Sequence, residues 1–538
     1  MIDPTRMLVC VLALLTPGGT SVDQNGEIIR ILRQAHEIAV TMPNDRILTK
    51  FSILDEIARF QAFVNDQDES SKTIEDALKE SPNPSSHQRI RDGIRVDVLH
   101  STAVLRIEQG DAKAAVEPLR EYARLVGKGL SPGWIPFYLG LLKLQVRAGD
   151  RDGASESAKQ ILEFAEKLPA TPPEGGGNRD GVQTRPRGLL LAAHAFGLAD
   201  QPAIAENLRR RAIREAESIA DQNQRRGQIG TVIEERARLG DLAGAVAWLD
   251  ARRELFGDGW NDQLAAISYA GAEFDPSLAV RTAARIGDPL KKILSLSAVA
   301  RKLGDLGRWR DAANAWVVAL PEGKTLLSRN LLAELVYAQA KAGDRDAALA
   351  TTRRALREAE RPGYDRLTVK FPSPGFYARL SAGVWLAGDR EAAATYLRQA
   401  RTLTDAIRDD PINKSGCLTQ IAETYADMGD FDHALEMLTE SMIRDSNLIR
   451  PIVEAGALAR VRAGDVEGAF RLFNFLASAT NYTPAIRDVA RKVAKIEAKS
   501  GDLAVALRWA EGQSSPENKA VALIGVCSGL LERSYKTP

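Results

Sequence analysis

Histidine and cysteine are the residues of this 538-residue chain best suited to metal binding or nucleophilic catalysis, and their spacing favours neither. No two histidines lie at metal-ligand spacing, and no Cys-x-x-Cys pair occurs. The glycine triplet 175–177 lacks the Lys-Ser/Thr of a phosphate-binding loop. We therefore expect no metal, no cofactor and no catalytic residue, and we expect that the chain is not an enzyme. The residues concerned are His36, His87, His100, His194, His433, Cys10, Cys417 and Cys527.

Two groups of charged residues could also do chemistry. Asp409 and Asp410 form a carboxylate pair before a proline, which could serve acid–base catalysis or a cation, but such pairs more often cap a helix in water. The arginine runs 209–211 and 225–226 could bind an acidic partner. Glu206 and Glu215 flank the first run, which favours a solvated helix face instead.

The elements that would position any such residue follow from one short pattern. In the stretch Ala333–Pro362, apolar residues recur at helical spacing on both sides of Gly343-Asp344. Glycine supplies the left-handed backbone that ends one helix, and an aspartate side chain can cap the next. The pattern predicts a helix–turn–helix whose apolar stripe can be buried only by copies of itself.

Copies of this hinge occur along the chain. Eight Gly-Asp pairs have alanine five residues after the glycine, and Gly307 passes the same test before an arginine. We expect the alanine to lie where the second helix crosses the first and only a methyl group fits. The hinge glycines are Gly110, Gly149, Gly240, Gly343, Gly388, Gly429, Gly464 and Gly501.

Three segments, AKAGDRDAALATTRRAL, LAGDREAAATYLRQA and ADMGDFDHALEMLTESM, resemble tetratricopeptide (TPR) repeats. Large aromatic residues expected in the family's first helix are mostly replaced by Ala, Leu or Ile. The resemblance implies an all-α fold, a right-handed α-solenoid of about a dozen helix pairs. The final helix, Glu517–Leu531, is expected to cap the last repeat.

The family's first helices line a groove, and counting back ten and six residues from each hinge glycine gives the groove positions. None of these positions holds the Lys–Asn pair of the family's carboxylate clamp, so a clamp-type co-receptor is not expected. If a peptide binds, we expect contacts from Tyr337, Glu423, Glu454, Arg491 and Lys495. The groove positions are Ala333/Tyr337, Ala378/Ala382, Thr419/Glu423, Glu454/Leu458 and Arg491/Lys495.

The charge balance restricts the class of partner. The chain has 72 basic and 71 acidic residues, whereas a general nucleic-acid binder usually shows a basic excess. We therefore predict an interaction scaffold that presents its groove to a peptide or protein partner. The alternatives are an all-α toroid enzyme with convergent carboxylates and, third, an RNA-binding helical repeat.

The N-terminus predicts export. Arg6 precedes an apolar run, Met7–Leu15, and then small and turn-forming residues, which resembles a signal peptide. The run is too short to span a membrane, which needs about 20 apolar residues. The alternative is an N-terminal tail or a short helix packed on the first repeat. The predicted segments are a signal peptide (1–21), N-terminal repeats (25–168), a flexible Pro/Gly-rich loop (169–187) and a C-terminal array (188–533).

Overall fold

The structure is a computed structural model of the full chain. The predicted signal peptide, Cys10, Asp409, Gly501 and most of the predicted 169–187 loop lie outside the residues it describes. The described residues are 22–43, 47–64, 66–79, 95–96, 99–100, 102–104, 106–107, 110–126, 135–171, 184–320, 326–359, 373–408, 410–441, 446–479, 483–500 and 502–534.

The described residues form 26 α-helices and no strand, so the predicted all-α class is confirmed. The first eleven helices are α1 (Val22–Val40), α2 (Ile47–Phe63), α3 (Gln67–Lys79), α4 (Ala112–Val126), α5 (Ile135–Ala148), α6 (Arg151–Glu166), α7 (Arg185–Leu198), α8 (Pro202–Glu217), α9 (Gln222–Arg238), α10 (Leu242–Asp250) and α11 (Arg253–Phe256). The next eight are α12 (Trp260–Gly271), α13 (Pro276–Ala284), α14 (Pro289–Asp305), α15 (Trp309–Ala319), α16 (Leu326–Lys341), α17 (Arg345–Ala359), α18 (Pro374–Leu386) and α19 (Arg390–Asp405). The last seven are α20 (Pro411–Asp427), α21 (Phe431–Ser441), α22 (Ser446–Arg462), α23 (Val466–Ala479), α24 (Thr483–Ser500), α25 (Leu503–Glu511) and α26 (Pro516–Ser534).

The helices pack into two compact units. Unit 1 contains Met1–Ile161, Leu198–Asp200 and Arg444–Pro538, and unit 2 contains Leu162–Gly197 and Gln201–Ile443. Unit 1 is therefore built from both ends of the chain. In each regular helix pair we call the first helix A and the second helix B.

The hinge at Gly343 has the predicted geometry. Gly343 has a φ of +83°, and the backbone N–H of Asp344 donates to the carbonyl of Gln339 at 2.9 Å, which closes the last turn of α16. The Asp344 side chain then accepts from the N–H of Ala347 at 3.2 Å and caps α17. Seven of the eight predicted hinge glycines lie in the described residues, and all seven have positive φ, as has Gly307.

The alanine five residues after each hinge is buried at the helix crossing, as predicted. Each of these methyl groups is at most 1 % exposed, so no larger side chain fits without moving a helix. The alanines are Ala115, Ala154, Ala245, Ala312, Ala348, Ala393, Ala434, Ala469 and Ala506.

One further hinge carries aspartate instead of glycine. Asp200, between α7 and α8, is the non-glycine residue with positive φ (+61°) in the described chain. The N–H of Gln201 donates to the carbonyl of Phe196 at 2.9 Å, the same closing bond as at the glycine hinges. Ala205 follows five residues later and is fully buried. Aspartate tolerates the left-handed region better than most residues, so the hinge survives without glycine.

Two connections between helices are held by hydrogen bonds to backbone carbonyls. The first follows α10, which ends at Asp250. Arg252 then lies between helices, where its Nε donates to Glu217 at 2.7 Å and its Nη1 to the Trp248 carbonyl at 3.1 Å. Helix α7 begins inside the predicted 169–187 loop, because the N–H of Arg185 donates to the Pro169 carbonyl at 2.7 Å and holds the two flanks of the loop together.

The final helix is more than a cap. Every residue from Ala520 to Glu532 is buried, because α26 packs on α24 on one side and on α1 on another. Two glycines allow the close approach to α24. A Cβ at Gly525 would lie 2.4 Å from the Arg491 carbonyl oxygen, and one at Gly529 would lie 2.2 Å from that of Lys495. The final helix was expected to cover the last repeat and to leave its own outer side in water. Instead, α1 covers that side of α26.

We expect Gly529→Ala to destabilise unit 1 by about 1–3 kcal/mol, because the added methyl group meets backbone that cannot move alone. The matched control is Gly140→Ala in α5, also in unit 1, where a Cβ would meet nothing within 4 Å and where we expect a gain of about 1 kcal/mol. Urea denaturation of both variants measures this. Equal effects of the two substitutions would contradict the close helix crossing.

Candidate functional site

The helix-A side of each unit carries ion pairs that join one helix A to another, and we call this side the helix-A face. In unit 2, Lys291 of α14 pairs with Asp262 of α12 at 2.6 Å, and Arg379 of α18 pairs with Glu334 of α16 at 2.9 Å. Each of these pairs joins side chains of two different repeats. The pairs therefore hold neighbouring helices in register and also neutralise the charges of the two side chains.

The densest cluster on this face lies on α16, α18 and α20. Its α16 members, Glu334, Tyr337 and Lys341, are spaced by three and four residues and share one side of the helix. The opposite side of α16 is apolar, and Val336 belongs to the core that α16 and α18 share. Burial of that stripe directs the three polar side chains to the helix-A face.

Tyr337 is the centre of the cluster. The guanidinium of Arg379 lies 3.6 Å from the centroid of its ring, and Trp309 of α15 meets the ring edge-on at 5.6 Å. Only 7 % of Tyr337 is exposed, and burial together with the nearby Asp427 carboxylate raises the pKa of its phenol. Tyr337 was predicted to be a groove contact, and the structure places most of it under Arg379 and between helices.

Asp427 of α20 joins the cluster from two repeats away. The Tyr337 hydroxyl donates to Asp427 Oδ1 at 3.1 Å, and Lys341 Nζ donates to the same oxygen at 3.0 Å. Two donors on α16 therefore reach past α18, the helix that packs between α16 and α20. This tie fixes the spacing of three successive helices A.

Glu423, one turn before Asp427, is the carboxylate of this cluster that has no partner. Among the described residues it forms no ion pair and no hydrogen bond, while Glu334 is paired to Arg379 and Asp427 to Lys341. Glu423 is exposed to solvent. Desolvation, opposed by Arg379 and reinforced by Asp427 and Glu334, raises the pKa of Glu423.

The other three predicted contact residues lie in unit 1, and each already forms an ion pair across helices. Glu454 accepts from Lys492 of α24 at 2.9 Å. Arg491 pairs with Glu56 of α2. Lys495 pairs at 2.6 Å with Glu532 of α26, which is only 8 % exposed at its side chain. The predicted single row of contacts is thus divided between the two units, with Tyr337 and Glu423 in unit 2.

Several counted groove positions are buried instead. Ala333, Ala378 and Ala382 are each 1 % exposed, and Thr419 is 4 % exposed. At these positions the first helix of one repeat packs on the first helix of the next. For α18 and α20 this is shown by the hydrogen bond that the Thr424 hydroxyl donates to the Ala378 carbonyl at 3.0 Å. The expectation that the whole set faces a groove is therefore wrong for these four residues.

Arg379, Lys341 and Asp427 were not singled out from the sequence. Lys341 and Asp427 occupy the same position in their repeats, two residues before the hinge glycine. The two repeats are two apart along the chain, and the two side chains have opposite charges. A comparison of charges at equivalent positions, rather than of each repeat separately, could have predicted this pair.

The earlier chemical candidates resolve into structural roles. Asp410 caps α20 by accepting from the Asn413 N–H at 2.9 Å. Arg210 pairs with Glu206 at 3.0 Å on the helix surface, as the prediction of a solvated helix face requires. Cys417 and Cys527 are buried free thiols. A Gly-x-Ser-x-Gly run at 129–133 lies outside the described residues. Helices α4 and α5 flank that run, whereas a nucleophile elbow follows a strand.

One cavity is formed by described residues of unit 2. It has a volume of about 210 Å³ and lies between α7, α8 and α9. Arg236 at its wall is neutralised by Asp241 at 2.7 Å and stacks 4.1 Å from the ring centroid of Trp248. No group of three potential metal ligands occurs in the part of the chain that the structure describes. No helix in that part is long and apolar enough to cross a membrane.

These features define a TPR-like helical-repeat protein with degenerate repeats. No protein-family model and no curated protein sequence matches the chain. Among solved structures it is similar to Ton1535 from Thermococcus onnurineus NA1 (15 % identity, 74 % of this chain and 99 % of that one, TM-score 0.24). It is also similar to the apo form of RapI (12 % identity, 70 % of this chain and 99 % of that one, TM-score 0.26). A third similar structure is yeast Tom70 (14 % identity, 81 % of this chain and 94 % of that one, TM-score 0.28). These TM-scores are too low to support an argument about function.

We expect Glu423→Gln to stabilise unit 2 at pH 7. The pKa of Glu423 is raised above its ordinary value of 4.5, so the ionised carboxylate destabilises the folded state at neutral pH. This penalty disappears below about pH 4, where the group is protonated in both the folded and the unfolded state. Urea denaturation at both pH values measures the gain, which should be confined to pH 7.

Glu334→Gln is the control for this prediction, because it removes the partner of Arg379 and should destabilise unit 2 at pH 7. Loss of stability in Glu423→Gln at pH 7, or an equal gain at both pH values, would contradict the account of Glu423.

Proposed function

We propose that this protein is an interaction scaffold and that the helix-A face of α16, α18 and α20 binds a basic segment of a partner protein. The observation that carries the proposal is the unpaired Glu423 carboxylate in a cluster whose other charges are neutralised. A lysine or arginine side chain from a partner would supply the missing cation.

The charges of the cluster support a cationic partner. Glu334, Glu423 and Asp427 face Arg379 and Lys341, so one negative charge is left over. The raised pKa of Glu423 means that its ionised form is held in an unfavourable setting, and an arriving cation would relieve it. A polyanionic nucleic acid would meet a surface of like charge and be repelled, so we expect a protein partner.

The setting of the cluster also supports binding. Ion pairs and hydrogen bonds from α16 to α18 and α20 already fix the helices that carry it. A preformed surface loses little conformational freedom on association, so more of the contact energy appears as affinity.

The expected alternative, an enzyme with convergent carboxylates, has weaker support in the same cluster. Glu423 has a raised pKa and lies near Glu334 of another repeat and Asp427 of its own helix, but these two carboxylates are each bound to a cation. The cluster thus has one free carboxylate, whereas acid–base hydrolysis of the expected kind uses two.

We expect a library of short peptides, panned on the full chain, to yield sequences enriched in Lys and Arg. Glu423→Lys should reduce their binding at least tenfold, because it replaces the accepting charge by a repelling one. The matched control is Glu436→Lys on α21, an exposed helix-B position, which should leave binding unchanged. Enrichment of acidic peptides, or equal loss in both variants, would refute the proposed surface.

We also propose that the protein acts after export, since the apolar run near its N-terminus has signal-peptide character. Sequencing the N-terminus of the mature protein from its native host tests this. A mature chain that starts close to residue 22 is expected, and a chain that retains Met1–Leu15 in the cytoplasm would contradict it.

A further inference from the structure

Helix α26 has no helix B of its own after it in the described chain. In the regular repeats helix B follows helix A across a short hinge, as α17 follows α16. The place of a helix B beside α26 is taken by α1, from the other end of the sequence. Cys527 Sγ lies 3.8 Å from the carbonyl oxygen of Ile28, across 499 residues of chain.

Helix α1 has the contacts expected of a helix B. It packs on α26 and also on α2, just as α15 packs on its own helix α14 and on the next helix α16. Its apolar stripe is fully inaccessible to solvent, so the fit is as complete as in a covalently linked pair. The stripe consists of Ile28, Ile31, Leu32, Ala35 and Ala39.

We propose that the surface of α26 and α2 covered by α1 can accept the α1 of a second copy of this chain, so that two molecules exchange their N-terminal helices. No hinge ties α26 to α1, so the local chain does not specify which molecule supplies the helix. In sequence, helix α1 is joined to α2 and not to α26.

Helix α2 has its own attachments and does not depend on α1. Glu56 of α2 pairs with Arg491 of α24, and α2 also packs on α26. Helix α1 can therefore leave while α2 stays. An exchanged dimer makes the same contacts as two monomers, so protein concentration during folding decides between them.

A crosslink between α1 and α25 tests the exchange directly. Gln34 Nε2 donates to Glu511 Oε1 at 3.3 Å; Gln34 is half-buried and Glu511 is exposed. We would introduce Gln34→Cys and Glu511→Cys together with Cys10→Ser, refold the full chain from denaturant at two concentrations, and treat it with a short bismaleimide.

We expect crosslinked monomers after dilute refolding and covalent dimers after concentrated refolding. The ratio of dimer to monomer should rise about tenfold for a tenfold rise in free monomer concentration. The variant with Gln34→Cys but without the change at Glu511 is the control and should give no dimer through this contact. Chains with two different tags should co-purify when refolded together and not when mixed after folding.

Three results would overturn the proposal. The first is crosslinked monomer alone at every concentration. The second is a dimer seen by light scattering whose crosslinks stay within one chain, since that dimer uses another surface. The third is co-purification of tagged chains mixed only after folding. A crosslinked monomer in dilute solution also shows that the variant folds, because the crosslink forms only when α1 lies beside α25.

Discussion

Each helix pair of this chain has an apolar stripe that a neighbouring pair must cover, and this constraint explains most of the architecture. It requires alanine at every hinge-plus-five crossing and glycine where α26 meets the backbone of α24. It also explains why α26 is buried over thirteen successive positions, Ala520–Glu532. The chain meets the requirement at its C-terminal end by using its own first described helix.

Charge on the helix-A face is constrained in a related way. Most acidic and basic side chains there are joined across repeats, as in Lys492–Glu454 and Lys495–Glu532. Such pairs are partly desolvated, so an unpaired member is more unfavourable there than on an open surface. Glu423 is an exception, because it lies on this face without a partner. An unpaired charge of this kind can be used to recognise a partner, whereas the paired charges hold the repeats in register.

The sequence predicted the local structure well and the long-range structure poorly. Glycine followed by aspartate, with alanine five residues on, located the hinges because each signal acts within one turn of helix. Asp200 was missed since its residue type does not require the left-handed region, although Ala205 was the available clue. The partner of α26 was missed because no local pattern connects Cys527 with Ile28. For the site, Tyr337 and Glu423 were named as groove contacts, and that role stays a prediction. Arg379 and Asp427 were not named, because their place depends on how three helices stack, which counting within a single repeat does not contain.

The pairing of α1 with α26 has a consequence for biosynthesis. Ile28 emerges from the ribosome 499 residues before Cys527. At about 5–20 residues per second, the N-terminal helix waits roughly 25–100 s for the surface that buries it. During that interval its apolar stripe has no native neighbour on α26, which makes the nascent chain a natural client for a chaperone that holds amphipathic helices.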